Sequence, residues 1–164
     1  ALCLLILVLS LNPLTQLFMK ANILRKINTY RREIGIACFS YAFIHFICFV
    51  IKRGSLSELV PYLIHPVIAP GFIALIIFAL LAATSNNWSI KKLNSLKWKK
   101  LHKKVYIAEG MVFVHLLLLS DRSRFWGIVL LGPLFMMQAL RKFKRKQRKT
   151  KLKGYSTRAS ALDN

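Results

Sequence analysis

Apolar residues come in blocks of roughly membrane-spanning length along this chain, and the lysines and arginines fall almost entirely between the blocks. That separation decides the fold class. With 55% hydrophobic residues and a formal net charge of +21, a soluble domain would have to bury one set while keeping the other in water. Segregation along the chain allows both, and the chain reads as an all-α polytopic membrane helical bundle. Five transmembrane helices are visible: Ala1 to Met19, Ile34 to Ile51, a block opened by Pro66 and Pro70 and closed near Thr84 and Ser85, Leu101 to Ser120, and Phe125 to Leu140. Prolines in the first turn of a span cost little, because their missing N–H groups have no helical partner there. The first block starts on apolar residues with no charged leader and no cleavage site, so a signal peptide is a poor reading of it. The expectation is a chain that begins partway through a longer protein of six helices.

The connections alternate in charge. Lys20, Arg25, Lys26, Arg31 and Arg32 stand against Glu33 in the first, Lys52 and Arg53 against Glu58 in the second, and Lys91, Lys92, Lys97, Lys99 and Lys100 are unopposed in the third. The fourth is the short DRSR, and the tail from Arg141 to Arg158 holds ten basic residues and no acidic one. The positive-inside rule then orients every helix without contradiction: basic connections and tail in the cytoplasm, the loops near Ser55 and Arg122 outside. Residues 1–140 form the membrane domain and 141–164 a basic cytoplasmic tail that also rests on anionic lipid headgroups. Trp88 and Trp98 read as interfacial anchors. Nucleic acid is not expected, since short connections between apolar blocks are a poor surface for reading bases. Cys3, Cys38 and Cys48 lie inside apolar blocks without metal-ligand spacing and read as small hydrophobes.

Histidines inside such blocks need a reason, because an unpartnered imidazole in hydrocarbon is costly. His45 lies eleven residues beyond Ile34, about 16 Å along its helix. His115 lies thirteen residues beyond His102, about 20 Å along a helix that also starts inside. The two share one level in the outer half of the membrane, as an axial pair on a b-type haem requires, with the iron taking one nitrogen from each side of the porphyrin. Small residues on the same faces, Cys38, Ala42 and Ala108, leave room for a macrocycle.

On an ideal helix His102 points about 140° away from His115 and shares a stripe with Tyr106 and Glu109 near the cytoplasmic face. Glu109 is the acidic residue deep in a block, which makes it a candidate proton acceptor. This stripe reads either as a second haem, quinone or flavin site or as a headgroup-level hydrogen bond. His65, before Pro66 at the outer surface, reads as a water-satisfied histidine. Dinucleotide, Walker, HExxH and Ser/His/Asp patterns are all missing from the sequence, so electrons come from elsewhere.

These residues resemble the ferric-reductase-like transmembrane superfamily, and within it the haem-binding membrane subunits of bacterial periplasmic methionine sulfoxide reductase systems. RREIGIACFSYAFIH, Arg31 to His45, is similar to RRxLGLxAFxYAxLH; LNSLKWKKLHKKVY, Leu93 to Tyr106, is similar to LGxxWxxLHRLVY; Thr84 and Ser85 match the TS that closes the preceding helix. The chain departs from the pattern at Asn94, where the family has Gly, and at Glu109 and His65. The resemblance implies a b-type haem protein of the inner membrane with His45, His102 and His115 as haem iron ligands and FMN as an additional cofactor. It would act as an electron-transfer subunit rather than a catalytic one. Electrons would pass from the quinone pool or a cytoplasmic flavin reductase to a periplasmic molybdopterin-containing methionine sulfoxide reductase. The alternatives are a stand-alone transmembrane ferric or quinone reductase, and a haem-free transporter or assembly factor whose histidines handle protons.

Overall fold

The computed structural model describes residues 1–17, 22–53 and 56–162. Every regular element among them is an α-helix: α1 (Leu2–Leu17), α2 (Asn22–Thr29), α3 (Arg31–Arg53), α4 (Leu56–Ile64), α5 (Ala69–Ala83), α6 (Asn87–Leu93), α7 (Ser95–His102), α8 (Val105–Leu119) and α9 (Asp121–Leu162). The apolar blocks become α1, α3, α5, α8 and the first half of α9. The basic connections are not loops. They fold as the short helices α2, α6 and α7, and the KRGSLSELVPYLIH connection carries α4; its Gly54 and Ser55 lie outside the described residues.

The five apolar helices close a ring: α1 packs on α3, α3 on α5, α5 on α8, α8 on α9, and α9 returns to α1. Each sends small or aliphatic side chains to a shared core of Leu5, Leu9, Cys38, Ala74, Phe78, Ala108, Leu131 and Leu134. Cys38 behaves as the small hydrophobe its position predicts, with its thiol on the Ala1 carbonyl at 3.5 Å. The outward faces carry exposed Ile44, Ile76, Leu118 and Ile128, an apolar surface that hydrocarbon solvates and water does not. This is a membrane protein.

Among the described residues two helices are long and apolar enough to cross a bilayer, over Arg31–Lys52 and Asp121–Phe143, or three if α5 and α6 count as one span bent by 92°. α8, at 15 residues, reaches about 22 Å, short of the roughly 30 Å hydrocarbon core. It is short because the helix expected from Leu101 is broken. α7 ends at His102, a turn at Lys103 and Lys104 follows, and α8 begins at Val105. The turn keeps the exposed ammonium groups of Lys103 and Lys104 out of the apolar layer while α8 descends. The ideal-helix angle between His102 and His115 therefore does not apply.

Chain reversal between α8 and α9 is made by Ser120 alone, in extended conformation, with its hydroxyl accepting from the Ser123 N–H at 3.2 Å as an N-cap. DRSR is thus the first turn of α9, with Asp121 at the positive helix end and paired to Arg124 at 3.1 Å. α9 then runs without interruption past Leu140 into the basic segment.

Candidate functional site

Two cavities lie one above the other inside the ring, and Leu5, Cys38 and Phe78 line both, forming the partition between them. The upper one, about 700 Å³, is lined by His45 of α3, His115 of α8, Gly71 of α5, and His65 and Val67 of the α4–α5 connection. The lower one, about 1060 Å³, is lined by Trp98 and His102 of α7, Tyr106 and Glu109 of α8, and Gln138 and Arg141 of α9, with Arg31 at the start of α3. The basic residues gather at the lower end. His45 and His115 thus share a cavity and His102 belongs to the other.

His115 is held in one tautomer. Its Nδ1 lies 2.7 Å from the Val67 carbonyl oxygen; a carbonyl only accepts, so Nδ1 carries the proton and Nε2 keeps its lone pair. The ring lies flat on the backbone of α5: a Cβ built on Gly71 would sit 3.0 Å from Nδ1 and 3.1 Å from Cε1. Only glycine gives the imidazole that seat. His45, an exposed residue of α3, lines the same cavity. A bare Nε2 on an oriented ring, with the other nitrogen fixed by a carbonyl, is the arrangement that metal-binding histidines use.

His102 is arranged differently. Its Nε2 is 3.3 Å from the Thr84 hydroxyl, whose own proton goes to the Leu80 carbonyl at 2.8 Å; the Thr84 oxygen therefore accepts, and the His102 Nε2–H donates. The ring stacks on Trp98 at 3.9 Å between centroids, and the Trp98 indole N–H donates to the Thr84 carbonyl at 2.9 Å. α7 lies outside the spans, and burial of the ring, helped by the Arg31 guanidinium and opposed by Thr84, holds the His102 pKa below its ordinary value.

Seven residues further along the chain, on α8, Glu109 is fully buried and accepts from the Gln138 amide at 2.9 and 3.0 Å, one bond to each carboxylate oxygen. Two polar atoms in this cavity wall are buried without a hydrogen-bond partner, the Asn28 Oδ1 and the Arg141 Nε. Among the described residues no cluster of three or more His, Cys, Asp or Glu side chains could hold a bare metal ion.

The family model described as "Ferric reductase like transmembrane component" matches residues 1–113. The chain belongs to the ferric-reductase-like transmembrane family. It is 44% identical over 92 residues to proteins named "Protein-methionine-sulfoxide reductase heme-binding subunit MsrQ" from Brucella ovis, Brucella canis and Brucella suis. That stretch is 54% of this chain and 41% of each relative, so the match spans about two fifths of the relatives' length. No solved structure matches the chain.

Within this ferric-reductase-like domain the structure gives the candidate residues contacts that the sequence reading did not assign. Gly71 and Val67 form the seat of His115, Thr84 and Trp98 fix His102, and Gln138 partners Glu109. Trp98, read as an interfacial anchor, stacks on a histidine, whereas Trp88 is exposed with Lys92 4.5 Å over its ring and fits the anchor reading. The Thr84–Ser85 pair was visible as a motif, and its geometry supplies the reason: Thr84 is the C-cap of α5 and bonds to both Trp98 and His102.

Proposed function

We propose that this chain is the haem-binding part of a transmembrane electron-transfer subunit, with five spanning helices and a b-type haem in the upper cavity between His45 and His115. The observation that carries the reading is the His115 imidazole: Nδ1–H on the Val67 carbonyl, Nε2 bare, the ring seated on Gly71 in a cavity shared with His45. A macrocycle supplies the equatorial ligands itself and asks the protein for one nitrogen on each face, which suits two histidines on separate helices better than a bare ion does. The haem supplies a one-electron couple in a low-dielectric setting. His45 and His115 would hold it, and the apolar core of the ring excludes water.

The lower cavity takes the electron donor's side of the traffic. Its unpartnered Arg141 N–H matches a carbonyl of a quinone or flavin ring, and its Asn28 carbonyl oxygen matches a hydroquinone O–H or a flavin ring N–H. Glu109 serves as proton acceptor for a hydroquinone bound there, and Tyr106 supplies a hydroxyl beside it. Arg31, Lys99, Lys103 and Lys142 at the rim suit the phosphate of FMN. His102, with its Nε2 turned to Thr84, is a weaker candidate for iron and would serve a second haem only by giving up that bond.

The relatives' names point to a protein-methionine-sulfoxide reductase as the partner; in this reading it is the periplasmic acceptor, and the donor is the quinone pool or a cytoplasmic flavin reductase. The basic end then lies in the cytoplasm and the His45 end faces out of the inner membrane. A reduced-minus-oxidised absorption spectrum of the purified protein tests the reading. Sharp bands of haem ligated by two histidines are expected; a protein that binds no haem is instead a proton-handling transporter or assembly factor.

A further inference from the structure

Val67 sets two histidines in opposite senses. Its carbonyl takes the proton of His115 Nδ1 at 2.7 Å, while its own N–H points at His65 Nδ1, 3.3 Å away. A ring nitrogen that accepts carries no proton, so the neutral His65 imidazole holds its proton on Nε2. The same residue whose carbonyl leaves Nε2 of His115 bare thus leaves, through its N–H, a donor on Nε2 of His65. Both rings line the upper cavity. The relation is built into the turn: the Ile68 and Ala69 N–H groups return to the His65 carbonyl at 2.8 and 2.9 Å, with Pro66 holding the φ that such a turn needs at its second position.

We infer that His65 is a hydrogen-bond donor to the carboxylate groups of a porphyrin held in this cavity, an inference that rests on the haem reading above. His65 is exposed where the chain reverses between α4 and α5, at the end of the ring. The anionic edge of a bound haem belongs at that end, because its carboxylates are costly to bury without donors. Among the described residues lining the cavity there is no lysine or arginine, so side-chain donors are left to Tyr41, Tyr62 and His65, His45 and His115 being given to the iron. A donor on the carboxylate withdraws negative charge from the neighbourhood of the iron and favours the reduced state.

The test compares the full chain with His65→Ala and His65→Gln for haem per polypeptide and midpoint potential. The alanine variant is expected to keep the bands of two-histidine ligation at a more negative potential, and the glutamine variant, which retains an N–H donor, to recover most of the shift. Haem loss in His65→Ala as complete as in His115→Ala would make His65 a ligand and overturn the inference. An unchanged potential, or a shift that glutamine does not reduce, also overturns it. Absence of haem from the wild type overturns both readings; haem present with a potential indifferent to His65 overturns this one alone.

Discussion

At the scale of single residues, the site depends on what lies behind His115. Gly71 offers the ring a bare backbone, and a methyl group there would meet Nδ1 at 3.0 Å. Gly71→Ala is expected to tilt the imidazole at a cost of about 1–3 kcal/mol, roughly a tenfold loss of haem retention or more, while the chain still inserts into the membrane. Haem per polypeptide, normalised to membrane-extracted protein, checks it. His45 and His115 were legible because depth follows from helical rise and the ends of the apolar blocks, and both do line one cavity. Gly71, Val67 and Gln138 were not legible. A glycine or valine at the mouth of an apolar block, or a glutamine near the end of one, has no meaning until the facing helix is known. That His65 lines the same cavity was illegible for the same reason: His115 is fifty residues away in the chain.

At the scale of elements, the least comfortable point is the joint between α6 and α7. Asn94 has φ 62° and ψ 145°, a region where an L side chain is strained and glycine is not. The related sequence pattern that has Gly here is thereby explained: the joint must turn α7 so that Trp98 and His102 reach Thr84. Asn94→Gly is expected to stabilise the protein by about 1 kcal/mol, read as a rise of a few degrees in the melting temperature in detergent with the absorption spectrum unchanged. A lower melting temperature would mean that the Asn94 side chain contributes more than its backbone costs. The five long helices were visible in the apolar blocks to within a few residues, except that α9 continues some twenty residues past the expected end at Leu140. The short ones were not, because a basic, mixed segment such as KANILRKINTYRRE reads as a loop unless its apolar residues are seen to share a face. The break after His102 was missed because Leu101 and Val105 keep helical spacing across Lys103 and Lys104, the two residues that form the turn.

At the scale of the whole molecule, the ring order follows the chain order, so short connections suffice and each cavity is walled by helices of alternating direction. The partition of Leu5, Cys38 and Phe78 separates a cationic lower chamber from an apolar upper one lined by histidines, the layout of a conduit across a bilayer. Its direction rests on charge. With Cys3, Cys38 and Cys48 replaced by alanine, Ser123→Cys is expected to react with an impermeant maleimide in intact cells and Lys142→Cys only after lysis. The reverse pattern would invert the conduit. The central claim, that histidines from α3 and α8 hold one haem between them, is tested most directly by haem per polypeptide in His45→Ala, His115→Ala and His102→Ala. The account predicts that the first two lose most of their haem and the third loses less. Undiminished haem in His45→Ala and His115→Ala, or equal loss in all three, would contradict it.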